Sequence, residues 1–443
     1  MSNLLESLRD PVLAAARPRR LGRVTRMVGM SIDVGGVSAP IGGGLALLRK
    51  GGTPILAEVV ALGADHVTCL PYGDTAGLSV GALAEDRRRP LPLLAGSQLL
   101  GRVLNGLGQP IDDGPPLIGL EEVGIEGTPP HPLRRGLVDE QLPLGVRAID
   151  GLIPCGKGQR LGIFAGSGVG KSSLMSMITR GTSAEVTVIA LIGERGREVA
   201  EFVERDLGPE GLRNAVVVVA TSDTPALVRI RAAFVATRLA EWFRDQGKHV
   251  LLMMDSLTRF AMAQREVGLA AGEPPATRGY PPSVFGLLPR LLERAGTAER
   301  GSITGLYTVL VEGDDMNEPI ADAARSILDG HIQLSRHLAE ANHYPAIDVL
   351  GSISRVAPAI STPERMAAAG EIRHLLAAWR DAKDLIEIDA YVRGTNPVVD
   401  RAIAAKPRID AFTKQSMQEH VALNDTTEAL IALVGGVPET SAP

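Results

Sequence analysis

The sequence predicts an α/β protein in three parts: a small β-barrel over residues 21–90, a mostly parallel sheet covered on both faces by helices over 91–361, and a helical C-terminal domain over 362–443. Three patterns carry that reading. Short apolar alternations broken by dense glycine turns fill the first part, apolar runs alternating with longer helical stretches fill the second, and apolar residues at helical spacing fill the third. A chain of 443 residues is long enough for two to three domains with a large buried core.

From Leu21 to about Leu83, runs such as Leu56–Leu62 and His66–Leu70 are separated by Gly35-Gly36, Gly42–Gly44, Gly51-Gly52 and Gly63-Ala64-Asp65. Strands this short with turns this frequent predict a closed all-β barrel. The charged, proline-containing run Glu85–Pro92 reads as a boundary. A Pro/Gly-rich connector then extends to about Arg135. Beyond it, the apolar runs Val186–Ile192, Ala215–Ala220, Val250–Met254 and Ile303–Val311 alternate with helical stretches, of which Pro225–Arg244 is the clearest. Buried strands that alternate with helices make a parallel sheet. After Arg355, Thr362-Pro363 is a helix start, and Met366, Ala369, Ile372, Leu376 and Trp379 recur at helical spacing. A second helical pattern lies around Val399–Phe412.

The stretch Ala165–Ser173, AGSGVGKSS, lies between the short apolar run Leu161–Phe164 and the helical pattern Leu174–Ile178. That is the setting of a phosphate-binding P-loop. Gly166, Gly168 and Gly170, with Ser167 and Val169 between them, let consecutive backbone N–H groups curl into an anion nest, and the helix behind points its positive end at the same spot. Lys171 adds a point charge for the β- and γ-phosphates. Ser172 offers a hydroxyl to a nucleotide-bound Mg²⁺, and Ser173 closes the motif. Ala165 stands where the strict pattern has glycine, a difference of one methyl.

A bound nucleoside triphosphate needs a metal, a positioned water and charge compensation as its terminal bond breaks. Val250–Asp255, VLLMMD, is an apolar strand ending in a carboxylate, so Asp255 is expected to hold Mg²⁺ through water. Gly193–Val199, GERGREV, follows the run Val186–Ile192, which brings Glu194 to the same sheet edge as Lys171. Glu194 can polarise the attacking water there, and Arg195 beside it can contact the γ-phosphate. Arg259, four residues past Asp255, is a further candidate to reach the phosphates. His331, His337 and His343 are spaced by six, which is no zinc-ligand spacing, and are read as structural.

Composition narrows the function classes. Apolar residues make up 45% and charged ones 22%, with a net charge of −5 and no basic block longer than Arg87–Arg89, so no nucleic-acid partner is expected. Cys69 and Cys155 lie far apart and fit a reduced, cytoplasmic setting. No apolar run approaches the ~20 residues that span a bilayer. Ala14–Ala16 imitates a signal cleavage site, but Glu6, Arg9, Asp10 and Pro11 interrupt any hydrophobic region. In the segment 1–20, Leu4, Leu5, Leu8 and Val12 share one helical face, as a short partner-binding helix would.

Six blocks in order, GRVLNGLGQPID (Gly101–Asp112), AGSGVGKSS, GERGREV, MMDSLTRFA (Met253–Ala261), RGYPPSVFGLLPRLLERAG (Arg278–Gly296) and HYPAIDVLGSISRV (His343–Val356), resemble the catalytic subunit of rotary ATP synthases. The segment Val311–Ile332, VEGDDMNEPIADAARSILDGHI, is similar within that superfamily to the flagellar and type III secretion export ATPases. The resemblance implies a RecA-like P-loop nucleotide-binding domain between a small β-barrel and a helical C-terminal domain, assembled as a hexameric ring around a stalk. It implies Mg²⁺-dependent hydrolysis of ATP, coupled to release of export substrates from chaperones and their delivery to a membrane export gate. A peripheral regulator at the N-terminus is implied as well, on the inner face of the cytoplasmic membrane.

Two residue roles come from the resemblance alone. Tyr344 corresponds to an aromatic that stacks on adenine, and Arg355 to an arginine finger presented to the nucleotide of a neighbouring subunit. The same motifs leave three other readings open: an ion-translocating rotary subunit, a RecA-class ring that moves along RNA, and a degenerate regulatory subunit.

Overall fold

The computed structural model describes residues 20–311, 313 and 315–435; the segment 1–19, which carries the expected partner-binding helix, lies outside the described residues. Six strands, β1 (Leu21–Val28), β2 (Ser31–Gly35), β3 (Gly44–Leu47), β4 (Ile55–Leu62), β5 (His66–Pro71) and β6 (Leu83–Asp86), close into a barrel in the order β1-β2-β5-β4-β3-β6. Alternation along β4 and β2 turns Ile32, Val34, Ala57 and Val59 inward, where they meet Leu45, Leu47 and Cys69. Closure pairs β1 with both β2 and β6, so no strand edge is left to pair with another chain. The charged run 85–92 therefore begins inside the barrel wall: Glu85 pairs with Leu21 and Asp86 with Leu45.

A ribbon of β7 (Leu93–Ala95) and β9 (Glu121–Val123) follows. The central sheet comprises β8 (Arg102–Asn105), β10 (Arg160–Ala165), β11 (Val186–Ile192), β12 (Ala215–Ala220), β13 (His249–Asp255), β15 (Ser302–Leu310), β16 (Gly330–Leu334) and β17 (Ile347–Ser354). Their order is β17-β16-β10-β15-β13-β11-β12-β8, with the short β14 (Gly296–Thr297) on β15. All neighbours along that path are parallel except β17, which runs antiparallel to β16. β8 belongs to the block GRVLNGLGQPID, which carried no strand signal of its own. Its four residues gain strand character only by pairing Arg102–Asn105 with Val216–Val219.

Among the described residues the ten longer α-helices are α1 (Arg147–Leu152), α2 (Lys171–Gly181), α3 (Gly196–Glu201), α4 (Ala226–Asp245), α5 (Leu257–Ala270), α6 (Pro282–Leu292), α7 (Pro319–Ile327), α8 (Pro363–Glu387), α9 (Pro397–Thr413) and α10 (Leu423–Gly435). Because side chains alternate across a strand, each strand feeds two cores. Val186, Val188, Ala190 and Ile192 pack with α4 to α7, whereas Ile189 and Leu191 face α1, α2 and the C-terminal helices. Strands buried on both faces explain why their sequences are continuous apolar runs.

The C-terminal helices share the second core with the helix behind the P-loop. Ile372, Leu375, Ala402, Ile409 and Phe412 belong to one cluster with Leu174, Met175 and Ile178. Helix α8 starts at Thr362, whose side chain accepts from the Arg365 amide. Arg373 on α8 donates to the carbonyls of Val349, Leu152 and Ser352, at 2.6, 3.1 and 3.1 Å.

Candidate nucleotide site

The loop 166–170 leaves the C-terminal end of β10 and enters α2 at Lys171. Gly168 and Gly170 take φ of 77° and 92°, left-handed values that a side chain disfavours. Gly170 is the N-cap of α2 and supplies no capping side chain, so the first-turn N–H groups face the loop rather than a neighbouring residue. Val169 is buried in the core, which leaves only its backbone for a ligand. Ser167, Gly168 and Ser172 are exposed.

β10, β15, β13 and β11 are parallel neighbours, so their C-terminal ends share one sheet edge. That topology gathers Lys171, Glu194, Asp255 and Thr308, which lie 23 to 137 positions apart in sequence. Lys171 Nζ is ion-paired with Asp255 Oδ1 and stands 3.6 Å from Glu194 Oε1. All three side chains are largely buried, at 12%, 5% and 17% exposure. Thr308 on β15 donates its hydroxyl to Asp255 Oδ1 at 2.6 Å. Burial pushes the Glu194 carboxyl up to about 7, outweighing the Lys171 ammonium that draws it down; the nearby Asp255 carboxylate adds to the rise.

Two arginines were expected here, and the structure brings in one. Arg195 caps α3 with its backbone while its side chain is 78% exposed and faces Glu198, 3.7 Å away. It does not meet Lys171 or Asp255. Arg259 lies inside: its stem packs on Gly193, where an added Cβ would come within 2.9 Å of the Arg259 Cβ. Its Nε is buried without a hydrogen-bond partner among the described residues. A buried guanidinium nitrogen left open beside the strand end that carries Glu194 suits an incoming phosphate.

Tyr344 reaches the site from the loop before β17. Its ring lies 3.4 Å from where a Gly170 Cβ would stand, and it is 42% exposed. The Gln415 amide donates to the Tyr344 carbonyl at 2.9 Å, which ties this loop to the C-terminal domain. Arg355 is placed otherwise. Because β17 runs against β16, Arg355 emerges at the opposite sheet edge, its amide donating to the Asp329 carbonyl at 3.0 Å. Asp329 in turn accepts from Arg160 at the start of β10. The length of β10, about 16 Å at ~3.3 Å per residue, separates Arg355 from its own P-loop.

The three histidines go to separate places. His331 Nε2 meets the Gly351 carbonyl, His337 meets Lys383 and His343 meets Thr413. Among the described residues no group of three or more His, Cys, Asp or Glu side chains is arranged to hold a metal. Asp255 and the Ser172 hydroxyl suit Mg²⁺, which binds through one or two protein oxygens and takes the rest from phosphate and water.

Comparison with known proteins bears on this arrangement. The family model for the nucleotide-binding domain of the ATP synthase alpha/beta family matches residues 145–354, and its beta-barrel model matches 24–87. The T3SS EscN ATPase C-terminal domain matches residues 361–432. The flagellum-specific ATP synthase of Bacillus subtilis is 50% identical over 97% of this chain and 99% of that protein. The type 3 secretion system ATPase of Xanthomonas euvesicatoria is 49% identical over 97% and 98%. This chain belongs to the flagellum-specific and type 3 secretion ATPase family.

Structures within the family agree. The assembled ATPase EscN from the enteropathogenic E. coli type III secretion system superposes with a TM-score of 0.89 at 48% identity, covering 93% of this chain and all of that one. EscN in complex with its central stalk EscO gives 0.86 at 47% identity, with the same shares. Lys171, Glu194, Asp255, Arg259, Thr308 and Tyr344 all fall in the span matched by the nucleotide-binding domain model. Of these, Thr308 escaped the sequence reading. A hydroxyl within the apolar run Ile303–Val311 was its signal, but its relation to Asp255 required the strand order.

Proposed function

We propose that this chain hydrolyses Mg²⁺-bound ATP to ADP and phosphate in a ring whose active sites lie at subunit interfaces, and that it energises protein export through a flagellar or type 3 secretion apparatus. One observation carries the enzymatic reading: Lys171, Glu194, Asp255 and Arg259 converge at one sheet edge, while Arg355 stands at the other. Such a chain can present Arg355 only to another copy's nucleotide. The export reading rests on the relatives, flagellum-specific and type 3 secretion proteins at about half identity over nearly the whole chain.

In this mechanism Lys171 leaves Asp255 for the β- and γ-phosphates, and the loop amides with the N-terminus of α2 hold the remaining oxygens. Ser172 and Asp255 hold Mg²⁺, which supplies charge neutralisation at the phosphoryl oxygens. Glu194 accepts a hydrogen bond from water and aims it at the γ-phosphorus. As the water oxygen bonds to phosphorus, the bond to the ADP oxygen breaks, and the water proton passes to Glu194. Arg259 meets the γ-phosphate from within, Arg355 of an adjoining subunit completes the charge compensation, and Tyr344 stacks on the base.

The partners that follow are a stalk, a regulator bound to the segment 1–20, a membrane export gate and chaperone–cargo complexes, at the inner face of the cytoplasmic membrane. EscN has been solved with its stalk EscO. Among the described residues no helix is long and apolar enough to cross a membrane. The test is ATPase rate against protein concentration, with mass measured in parallel. A rate per subunit that climbs as rings form is expected, and one that stays flat through assembly overturns the shared site. Strong activation by added RNA would favour the RNA-translocating reading.

A further inference from the structure

We propose that Thr308 is a positioning residue for the metal-facing carboxylate: its buried hydroxyl keeps Asp255 oriented toward the nucleotide once Lys171 has turned to the phosphates. This rests on the reading that Mg²⁺-bound nucleotide occupies the site. The Thr308 Oγ1 to Asp255 Oδ1 bond is 2.6 Å, and both residues are buried, at 1% and 4% exposure.

The two contacts of Asp255 differ in kind. Lys171 reaches Oδ1 on a flexible four-carbon stem and has a second task, because the phosphates draw the same ammonium. Thr308 reaches Oδ1 from a strand whose register is set by the sheet: β13 and β15 pair in parallel through Met254 and Tyr307, so Asp255 and Thr308 follow in step. A β-branched side chain on a strand has restricted χ1, and the hydroxyl is held where the backbone puts it. When Lys171 departs, a buried carboxylate would lose its cation; the Thr308 hydroxyl is the neutral group that remains on it. Residues hydrogen-bonded to a metal ligand tune metal affinity in this way.

The experiment measures binding of ADP to the full-length chain with and without Mg²⁺, by calorimetry, for the wild type, Thr308→Val, Thr308→Ala and Thr308→Ser, each checked by thermal melting. For Thr308→Val, which keeps shape and removes the hydroxyl, metal-free ADP binding is expected to be unchanged. The Mg²⁺ concentration giving half its effect should rise roughly 10- to 100-fold. Thr308→Ser should return it to the wild-type value, and Thr308→Ala should match Thr308→Val, which serves if valine does not fold. Wild-type Mg²⁺ dependence in Thr308→Val or Thr308→Ala, or a Thr308→Ser variant as weak as either, overturns the assignment. A wild-type protein whose ADP binding ignores Mg²⁺ overturns the nucleotide reading itself, and this inference with it.

Discussion

Lys171 Nζ stands 3.6 Å from Glu194 Oε1 and is ion-paired with Asp255 as well, so the P-loop lysine is held between the two carboxylates proposed above to position water and metal. The single cation faces both in a buried volume and offsets one negative charge. In the proposed mechanism an arriving triphosphate competes for it, and in doing so releases Glu194 and Asp255.

The pH dependence follows from Glu194. Burial raises its carboxyl from the ordinary 4.5 to about 7, so the free protein holds a proton there through mildly acid pH. The basic form grows in as pH rises, and kcat/KM should climb through about 7. Stability has the opposite sign. Between about 4.5 and 7 the folded chain binds a proton that the unfolded chain has lost, so nucleotide-free protein should become less stable as pH rises across that window. Glu194→Gln should remove both slopes and lower kcat by about 10² to 10⁴ while nucleotide still binds. Rates and melts across the window check this; a Gln variant that keeps the wild-type pH profile would exclude Glu194 as the base.

Arg355 gives a prediction in trans. Arg355→Ala should bind nucleotide normally and lose roughly 10³ to 10⁵ in turnover. Lys171→Ala should be inactive through failed phosphate binding. Mixed in one ring, the two inactive proteins place an intact P-loop beside an intact Arg355, and activity should return. Mixtures that stay inactive although mass shows mixed rings would refute delivery across the interface.

Tyr344 is expected to act on affinity rather than on chemistry. Its ring borders Gly170, and stacking on a base is worth about 1–3 kcal/mol. Tyr344→Ala should weaken ADP binding about 5- to 150-fold, with kcat at saturation little changed, and Tyr344→Phe should bind like the wild type. Equal affinities for the three proteins in a titration would remove Tyr344 from the base pocket.

Periodicity carried much of the fold because burial leaves a direct mark on it. The doubly covered strands β11 and β12 are apolar runs broken only by Thr187, and their ends coincide with the runs seen in the sequence. β8 and β16 were not visible: over four or five residues with polar members an alternation is too short to stand out, and they become strands only beside a formed neighbour. The site divides along the same line. The P-loop is a local backbone motif, so its residues are contiguous and readable. Arg195 and Arg259 are both arginines beside a motif, and only packing against Gly193 turns one of them inward.

By itself, then, the sequence determined the barrel, the parallel sheet, the helical C-terminal domain and the P-loop, since period, turn chemistry and contiguous motifs act over a few residues. The tertiary structure decided which strand ends adjoin. Strand order set Thr308 and Lys171 on the same oxygen of Asp255, and the antiparallel run of β17 carried Arg355 to the far edge of the sheet. Those relations join residues dozens of positions apart, and they arise only when the sheet closes its hydrogen bonds and buries both faces.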